Sequence, residues 1–423
     1  MKPIITILKK KENIPGEDYS MKKRNKYITL LGVLFFSAFT LSAEITFSGY
    51  AGAKMDFYSV DTEKFDPGLK IQSFFSGQFV FSQNIILNTE FSLATDDIID
   101  NSIFKEAPAS FKVDEISLVI RKQFSTATNY LSAFMGTYEP IGSDIFLRRQ
   151  FGIQPIASKI TESWLGLSGS IIYPMFGAGG ADVIHFNSVP LATGIYAYVN
   201  HELEDSYVFN GDLRFAGNFR YFTFDLAAGI GMPLNTDDSD NSFIVVNTLY
   251  WKTGANILIG NAKTSSIFIQ AGFSEIKFKK KQNKWDFNED SAYFLFEPRL
   301  KTKRFQAHLT AFSLPEDTVK NLIFIDDKCG ANLNVFTDNL HLWNKVFTFG
   351  VNYVLSFKDK NIFDILDAPG DIMDDYTLNV APYIMTNFYN GEIHFMAQVK
   401  IKEFIDDRPG TGVEFNLGYK TQF

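Results

Sequence analysis

Charged side chains that could recognise a small anion stand in residues 139–159, EPIGSDIFLRRQFGIQPIASK. There Asp144, Arg148 and Arg149 stand among Ile141, Ile145, Phe146, Leu147, Phe151 and Ile153. A basic pair beside a carboxylate would favour anions in a narrow throat, because a low-dielectric surround screens each charge poorly. On an outward loop the same arginines would be ordinary surface charges. Catalytic chemistry is poorly provided for. The five histidines, His185, His201, His308, His341 and His394, are scattered, without the HExxH or paired spacing that zinc needs. No GxSxG elbow is present. The glycines at Gly177, Gly179 and Gly180 lack the lysine and following helix of a phosphate loop. The expectation is a protein that is not an enzyme and needs no cofactor or metal. Lys279, Lys280, Lys281 and Lys284 form the one dense basic patch, read as a solvated outer loop.

The elements that must position these residues follow from patterning. The chain has 423 residues and a net charge of −8. Residues 1–43 hold eight basic and three acidic side chains, leaving 32 against 45, or −13, for the rest. Such a balance excludes nucleic-acid binding through bulk charge. A single cysteine, Cys329, excludes an internal disulfide framework and any Cys-built metal cluster. Aromatics reach 16% while mean hydropathy is only −0.04, so apolar residues are diluted almost one for one with polar ones.

That dilution is periodic. Val413, Phe415, Leu417, Tyr419 and Phe423 share one parity, with Glu414, Asn416, Lys420 and Gln422 on the other. Ile393, Phe395, Ala397, Val399 and Ile401 alternate with Glu392, His394, Gln398 and Lys400; Phe305, Ala307, Leu309 and Ala311 with Arg304, Gln306, His308 and Thr310. Phe209, Leu213 and Phe215 do the same with Asn210, Asp212 and Arg214. Strict alternation means a strand with one apolar and one polar face. The segments run to about ten residues or more, the length a strand needs to cross a bilayer. Short connections are expected near 83–84, 125–128, 217–218, 260–263, 302 and 390–391. Long ones are expected at 59–68, 95–110, 139–159, 231–242, 279–290 and 358–375. Residues 163–201, where Asp182 is the only charge between Glu162 and Glu202, are read as a hairpin of 163–173 and 182–200.

In hydrocarbon an unpaired backbone polar group costs several kcal/mol, so a membrane sheet must close on itself. The pattern therefore predicts an all-β, transmembrane, antiparallel up-and-down β-barrel over residues 44–423, with about eighteen strands and sixteen as the second choice. A barrel that wide leaves an aqueous channel unless it is plugged. With the first strand expected at 44–58, no plug is expected ahead of it. The polar faces nominate Glu90, Glu115, Arg121, Asp212, Arg214, Glu297, Arg299, Arg304, Lys400, Glu414 and Lys420 as lining the lumen. Tyr50, Tyr58, Trp251, Trp343, Tyr353 and Phe423 are candidates for an interfacial girdle.

Residues 21–43, MKKRNKYITLLGVLFFSAFTLSA, have a basic head, an apolar run and a small-residue exit at Ala43, and read as a cleaved secretory signal peptide. Residues 1–20 fit no part of such a signal, and Met21 is expected to be the true start.

A signal peptide, alternating strands, long loops on one rim and a terminal aromatic together resemble a Gram-negative outer-membrane β-barrel of porin type. The resemblance implies a bacterial outer-membrane location among its lipids. It also implies that Phe415, Leu417, Tyr419 and Phe423 form the signal read by the barrel-assembly machinery. It further implies a third long loop, here 139–159, folded inward as a constriction bearing Asp144, Arg148 and Arg149, and acidic and basic lumen residues set across from each other. A homotrimer is the assembly it suggests. The expected function is passive diffusion of small polar solutes. The alternative is a surface adhesin or structural barrel without a conducting pore.

Overall fold

The computed structural model describes residues 45–99, 109–153, 156–161, 171–201, 207–234, 248–261, 263–279, 282–319, 322, 325–337, 339–343, 345–358, 360, 363, 376–406 and 408–423. The expected signal peptide, the residues before it and most of the expected 163–173 arm lie outside the described residues.

Among the described residues the chain forms twenty strands. The first seven are β1 (Thr46–Ser59), β2 (Pro67–Ser82), β3 (Ile85–Thr95), β4 (Ala109–Gln123), β5 (Ala127–Thr137), β6 (Phe176–Phe186) and β7 (Leu191–Asn200). There follow β8 (Tyr207–Phe219), β9 (Phe222–Leu234), β10 (Thr248–Gly260), β11 (Ser266–Lys279), β12 (Lys284–Phe287), β13 (Ala292–Lys301) and β14 (Phe305–Ser313). The last are β15 (Cys329–Thr337), β16 (Leu340–Leu342), β17 (Lys345–Phe357), β18 (Tyr376–Phe388), β19 (Gly391–Lys400) and β20 (Val413–Gln422). β12 and β16 are short flaps: β11 pairs with both β12 and β13, and β17 with both β15 and β16. The other eighteen strands pair antiparallel with their neighbours in chain order. β1 pairs with β20 from Tyr50↔Gln422 to Phe57↔Phe415, which closes the sheet. Closure leaves no edge strand in the eighteen-strand wall, the condition for living in lipid.

Sidedness is clear on β8, where Leu213 is 61% exposed and the adjacent Arg214 1%. Leu131, Ile195, Leu309 and Leu333 are likewise exposed on the outer wall, while Asn88, Gln270, Thr310, Asn352 and Asn416 are buried on the inner one. An apolar exterior of this extent suits hydrocarbon, not water. This is a transmembrane β-barrel.

Several boundaries differ from expectation. The hairpin in the uncharged region is β6–β7, turning at 187–190, and Ile172 and Tyr173 belong to the preceding loop. Glycine-rich Phe176–Phe186 carries too little alternation to betray a strand. Its glycines allow close approach: a Cβ at Gly179 would lie 2.2 Å from the Ala197 carbonyl oxygen. The β8–β9 turn falls at 220–221, not 217–218. Arg304 does not line the lumen. It sits exposed in the turn that Thr302 Oγ1 closes by accepting from the Phe305 N–H at 3.1 Å, so the wall begins only at Phe305. Tyr50 and Tyr58 share the inward parity of Lys54, so they cannot serve a lipid-side girdle.

The seam explains the terminal aromatic. Phe423 exchanges two 3.0 Å backbone hydrogen bonds with Gly49, and its ring stacks on Phe47 and Phe75 at 5.2 and 5.9 Å. Phe423→Ala is expected to cost about 1–2 kcal/mol through lost ring packing and to slow barrel closure. Urea titration of the refolded barrel in lipid vesicles reads the first effect and refolding kinetics the second.

Candidate functional site

The connection between β5 and β6 runs from 138 to 175, longer than the 139–159 expected, and its described part turns into the lumen. Its described residues include one short helix, α1 (Ile145–Phe151). α1 ends at Gly152, whose left-handed φ of 61° lets its N–H reach the Arg148 carbonyl at 2.9 Å. Phe146, Leu147, Ile156 and Ile160 are buried here.

Three wall side chains clamp carbonyls of this segment. Arg214 Nη1 on β8 donates to the Glu139 carbonyl at 2.6 Å. Gln270 Nε2 on β11 donates to Gly142 at 2.7 Å, and Arg299 Nη2 on β13 donates to Ile156 at 2.7 Å. These strands lie far around the barrel from β5, so the loop crosses the interior. The two arginine bonds are charge-assisted and contribute about 1.5–3 kcal/mol each, and the neutral glutamine bond about 0.5–1.5 kcal/mol. A notch in the wall receives the loop's apolar side chains. Gly254 on β10 and Gly272 on β11 are cross-strand partners. A Cβ at Gly254 would lie 2.5 Å from Ile141 Cγ2 and 3.1 Å from Ile172 Cδ1, so glycine is what makes the seat. Ile141 and Tyr173 form a β-bridge above it.

A chain of buried charges runs from β4 through the loop to β9. Arg149 Nη2 donates to both carboxylate oxygens of Glu115 at 2.9 Å and lies 3.5 Å from Glu139. Glu139 Oε2 accepts from the Tyr196 hydroxyl at 2.8 Å. Arg214 pairs with Asp225 at 2.7 and 2.5 Å, and its guanidinium lies 4.1 Å from the centre of the Phe146 ring. Burial pushes the Glu139 carboxyl above its ordinary value, against the pull of Arg149 and Arg214. Glu139 also adopts a left-handed φ of 46°, a conformation that costs a non-glycine residue about 1 kcal/mol and that these contacts must hold.

The expected constriction residues thus have different surroundings. Asp144 Oδ2 accepts from the Ile156 and Ala157 N–H groups at 2.9 and 3.0 Å, so it ties the loop to itself. Arg149 is consumed by ion pairs. Arg148 is exposed and makes no ion pair among the described residues.

Of the nominated lumen residues, Glu90, Glu115, Arg121, Asp212, Arg214, Glu297, Arg299, Lys400, Glu414 and Lys420 have the inward parity of their strands. Glu90 accepts from Ser76, and Arg121 lies over the Tyr130 ring. Asp212 lies 3.7 Å from Lys252. Lys420 lies 5.8 Å from the Tyr50 ring centre, and Lys400 pairs with Glu414 at 2.6 Å. Glu297 accepts from Ser158, from Thr310 at 2.6 Å and from Arg299 Nε at 2.7 Å, with His308 Nδ1 at 3.3 Å. Ser158 gives its proton to the carboxylate and not to His308, so this group pins the loop rather than assembling a nucleophile and base. A second connection, 314–328, brings Asp326 to Asn379, Gln398 and Lys400, and Asp327 to Ser356 and Thr377.

Sequence reasoning missed Tyr196, Asp225, Gln270, Ser158 and the Gly254 notch. Strand parity could have marked Tyr196 and Asp225 as inward, but no local signal says which loop they hold.

The pairing and the apolar exterior define the class, a β-barrel of the kind found in the bacterial outer membrane. No protein-family model and no curated protein matches the chain. Solved structures that resemble it include OmpF of Salmonella typhi in complex with daunomycin, at 13% identity and a TM-score of 0.41, covering 90% of this chain and 97% of that one. Another is Wzi of Escherichia coli, described as a carbohydrate-binding β-barrel involved in group 1 capsule assembly, at 10% identity and 0.44, covering 98% and 90%. A mutant porin of Rh. blastica matches at 9% identity and 0.41, covering 90% and 100%.

Proposed function

We propose that the chain is an outer-membrane channel for passive diffusion of small hydrophilic solutes, with segment 138–161 as its constriction and Arg148 as its charge filter. The supporting observation is the division within the basic pair. Glu115 and Glu139 pair with Arg149, while Arg148 stays exposed on the same helix without an ion-pair partner among the described residues. An uncompensated cation in a narrow, low-dielectric passage raises the local anion concentration. In this reading residues 21–43 direct export and are removed, and Phe415, Leu417, Tyr419 and Phe423 serve recognition by the assembly machinery. Porin-like barrels of this width assemble as homotrimers in the same reading.

Planar-bilayer recording tests it. The native protein should give stable ohmic steps and, across a salt gradient, a reversal potential favouring anions. Arg148→Glu should move that potential to the cation side with the step size little changed. An unmoved potential removes Arg148 from the filter. If correctly inserted protein gives no steps at all, the channel reading is lost and a non-conducting surface adhesin or structural barrel takes its place.

A further inference from the structure

We propose that the outer wall at β13–β15 holds one anionic phospholipid of the periplasmic leaflet. Its phosphate would lie on the basic turn that follows β13, and an acyl chain in the dent beside that turn. The site does not depend on whether the barrel conducts.

The dent comes from two residues. Pro298 on β13 has no N–H to give, and the β13–β14 ladder is interrupted between Phe296↔Ala311 and Arg299↔His308. Ala307 on β14 meets Leu300 across the ladder with only a methyl group. Pro298, Arg299, Leu300, Ala307, Leu309 and Leu333 line an open dent of about 280 Å³. Leu300, Leu309 and Leu333 are exposed on the lipid side of the wall. A hydrocarbon chain lying there gains dispersion contacts with three strands at once.

The turn supplies the charge. β13 and β14 are joined by residues 302–304, whose backbone is satisfied within the turn. The Thr302 N–H donates to the Phe305 carbonyl at 2.9 Å, and Thr302 Oγ1 accepts from the Arg304 N–H at 3.3 Å. Lys303 and Arg304 are left exposed, and neither makes an ion pair among the described residues. Lys263, in the turn between β10 and β11, is exposed in the same way. The two turns are tied together, since the Lys301 N–H donates to Ser265 Oγ at 3.2 Å. Residues 260–266 and 301–305 include no Asp or Glu.

This charge is particular to its rim. Short turns of such barrels face the periplasm. The long connections of the opposite rim are acidic instead, as in NTDDSD at 235–240 and DIMDD at 371–375. An anionic headgroup is the complement of the basic turns, because each Lys or Arg near an anionic bilayer surface adds attraction and a guanidinium fork fits a phosphate. Arg304 lies three residues before Ala307, at most about 10 Å along the chain, so one lipid can reach both turn and dent. Trp343 stands 89% exposed at the next turn of this rim, with Leu340 and Leu342 of β16 also exposed. Such side chains suit the headgroup level of a bilayer, where an aromatic body is covered and its polar edge stays wet.

Native mass spectrometry of the full barrel in detergent tests the site by counting retained lipids. The probes are dioleoylphosphatidylglycerol and dioleoylphosphatidylcholine, which share acyl chains and differ in charge. Native protein should retain one phosphatidylglycerol in preference to phosphatidylcholine. Lys303→Gln with Arg304→Gln should weaken phosphatidylglycerol about fivefold for each charge removed and leave phosphatidylcholine unchanged. Ala307→Leu, which fills the dent, should weaken both lipids and keep the preference. Lys279→Gln with Lys284→Gln makes an equal charge change on the opposite rim and should alter neither. The site is overturned if native protein holds the two lipids equally, or if the far pair of substitutions acts as strongly as the near pair. It is also overturned if inorganic phosphate displaces the lipid, since the turn then binds a simple anion without the dent. An Ala307→Leu barrel whose assembly mass changes instead of its lipid count would assign the dent to a contact between copies of this chain, with the same consequence. Where Ala307→Leu fails to fold, the turn substitutions decide alone.

Discussion

Arg214→Leu is expected to destabilise the barrel by about 3–5 kcal/mol, the cost of stranding one member of a buried ion pair. Both Arg214 and Asp225 have fully buried side chains, so the Asp225 carboxylate would lose its two short hydrogen bonds with no water to replace them. The Glu139 carbonyl would also lose its donor. Urea-induced unfolding in lipid vesicles measures the loss. The double variant Arg214→Leu with Asp225→Leu should recover much of it, because a pair replaced by apolar groups leaves no orphaned charge. The Glu139 clamp stays broken in that double variant, so its channel should remain noisier than native. Recovery of stability without recovery of quiet conductance would separate the wall's own pair from its hold on the loop. If the single variant is as stable as native, the pair is not what holds this part of the wall.

Gly254→Val is expected to widen the passage. The new side chain would occupy the seat of Ile141 and Ile172, whose atoms are the nearest to the added carbon, at 2.5 to 3.5 Å. Overpacking of this kind costs about 1–3 kcal/mol, and the cheapest relief is for the loop to lift. Single-channel conductance should rise and the Arg148-dependent ion preference should fall together. Gly254→Ala should give a smaller change in the same direction. Conductance and selectivity both unchanged would mean that the loop does not set the aperture. A loss of folding yield without any change in the channels that do insert would assign the glycine to assembly alone.

Much of this could be read in the sequence because a membrane barrel imposes a local rule. Each inward residue is flanked by outward ones, so Asp212, Arg214, Glu297, Glu115 and Lys420 were identifiable as lumen-facing from parity. The same rule failed where side chains carry no hydropathy contrast. β6, with three glycines and two alanines, went unread, and Arg304 was given to a wall that starts one residue later. The loop segment was legible as an amphipathic insertion. The unlike surroundings of its two arginines were not, since nothing in LRRQ distinguishes the residue that meets Glu115 from the one that does not.

What the sequence by itself determined is the alternation, and with it the closed sheet, its apolar exterior and its polar interior, because sidedness in a strand depends only on neighbours in the chain. What tertiary structure alone decided is which charges remain unpaired in the lumen. Glu115, Arg149, Glu139, Arg214 and Asp225 meet across as many as 110 positions of sequence. Whether a buried charge is cancelled is a matter of distances of a few ångströms in space, which only the barrel's closure and the loop's path through it establish.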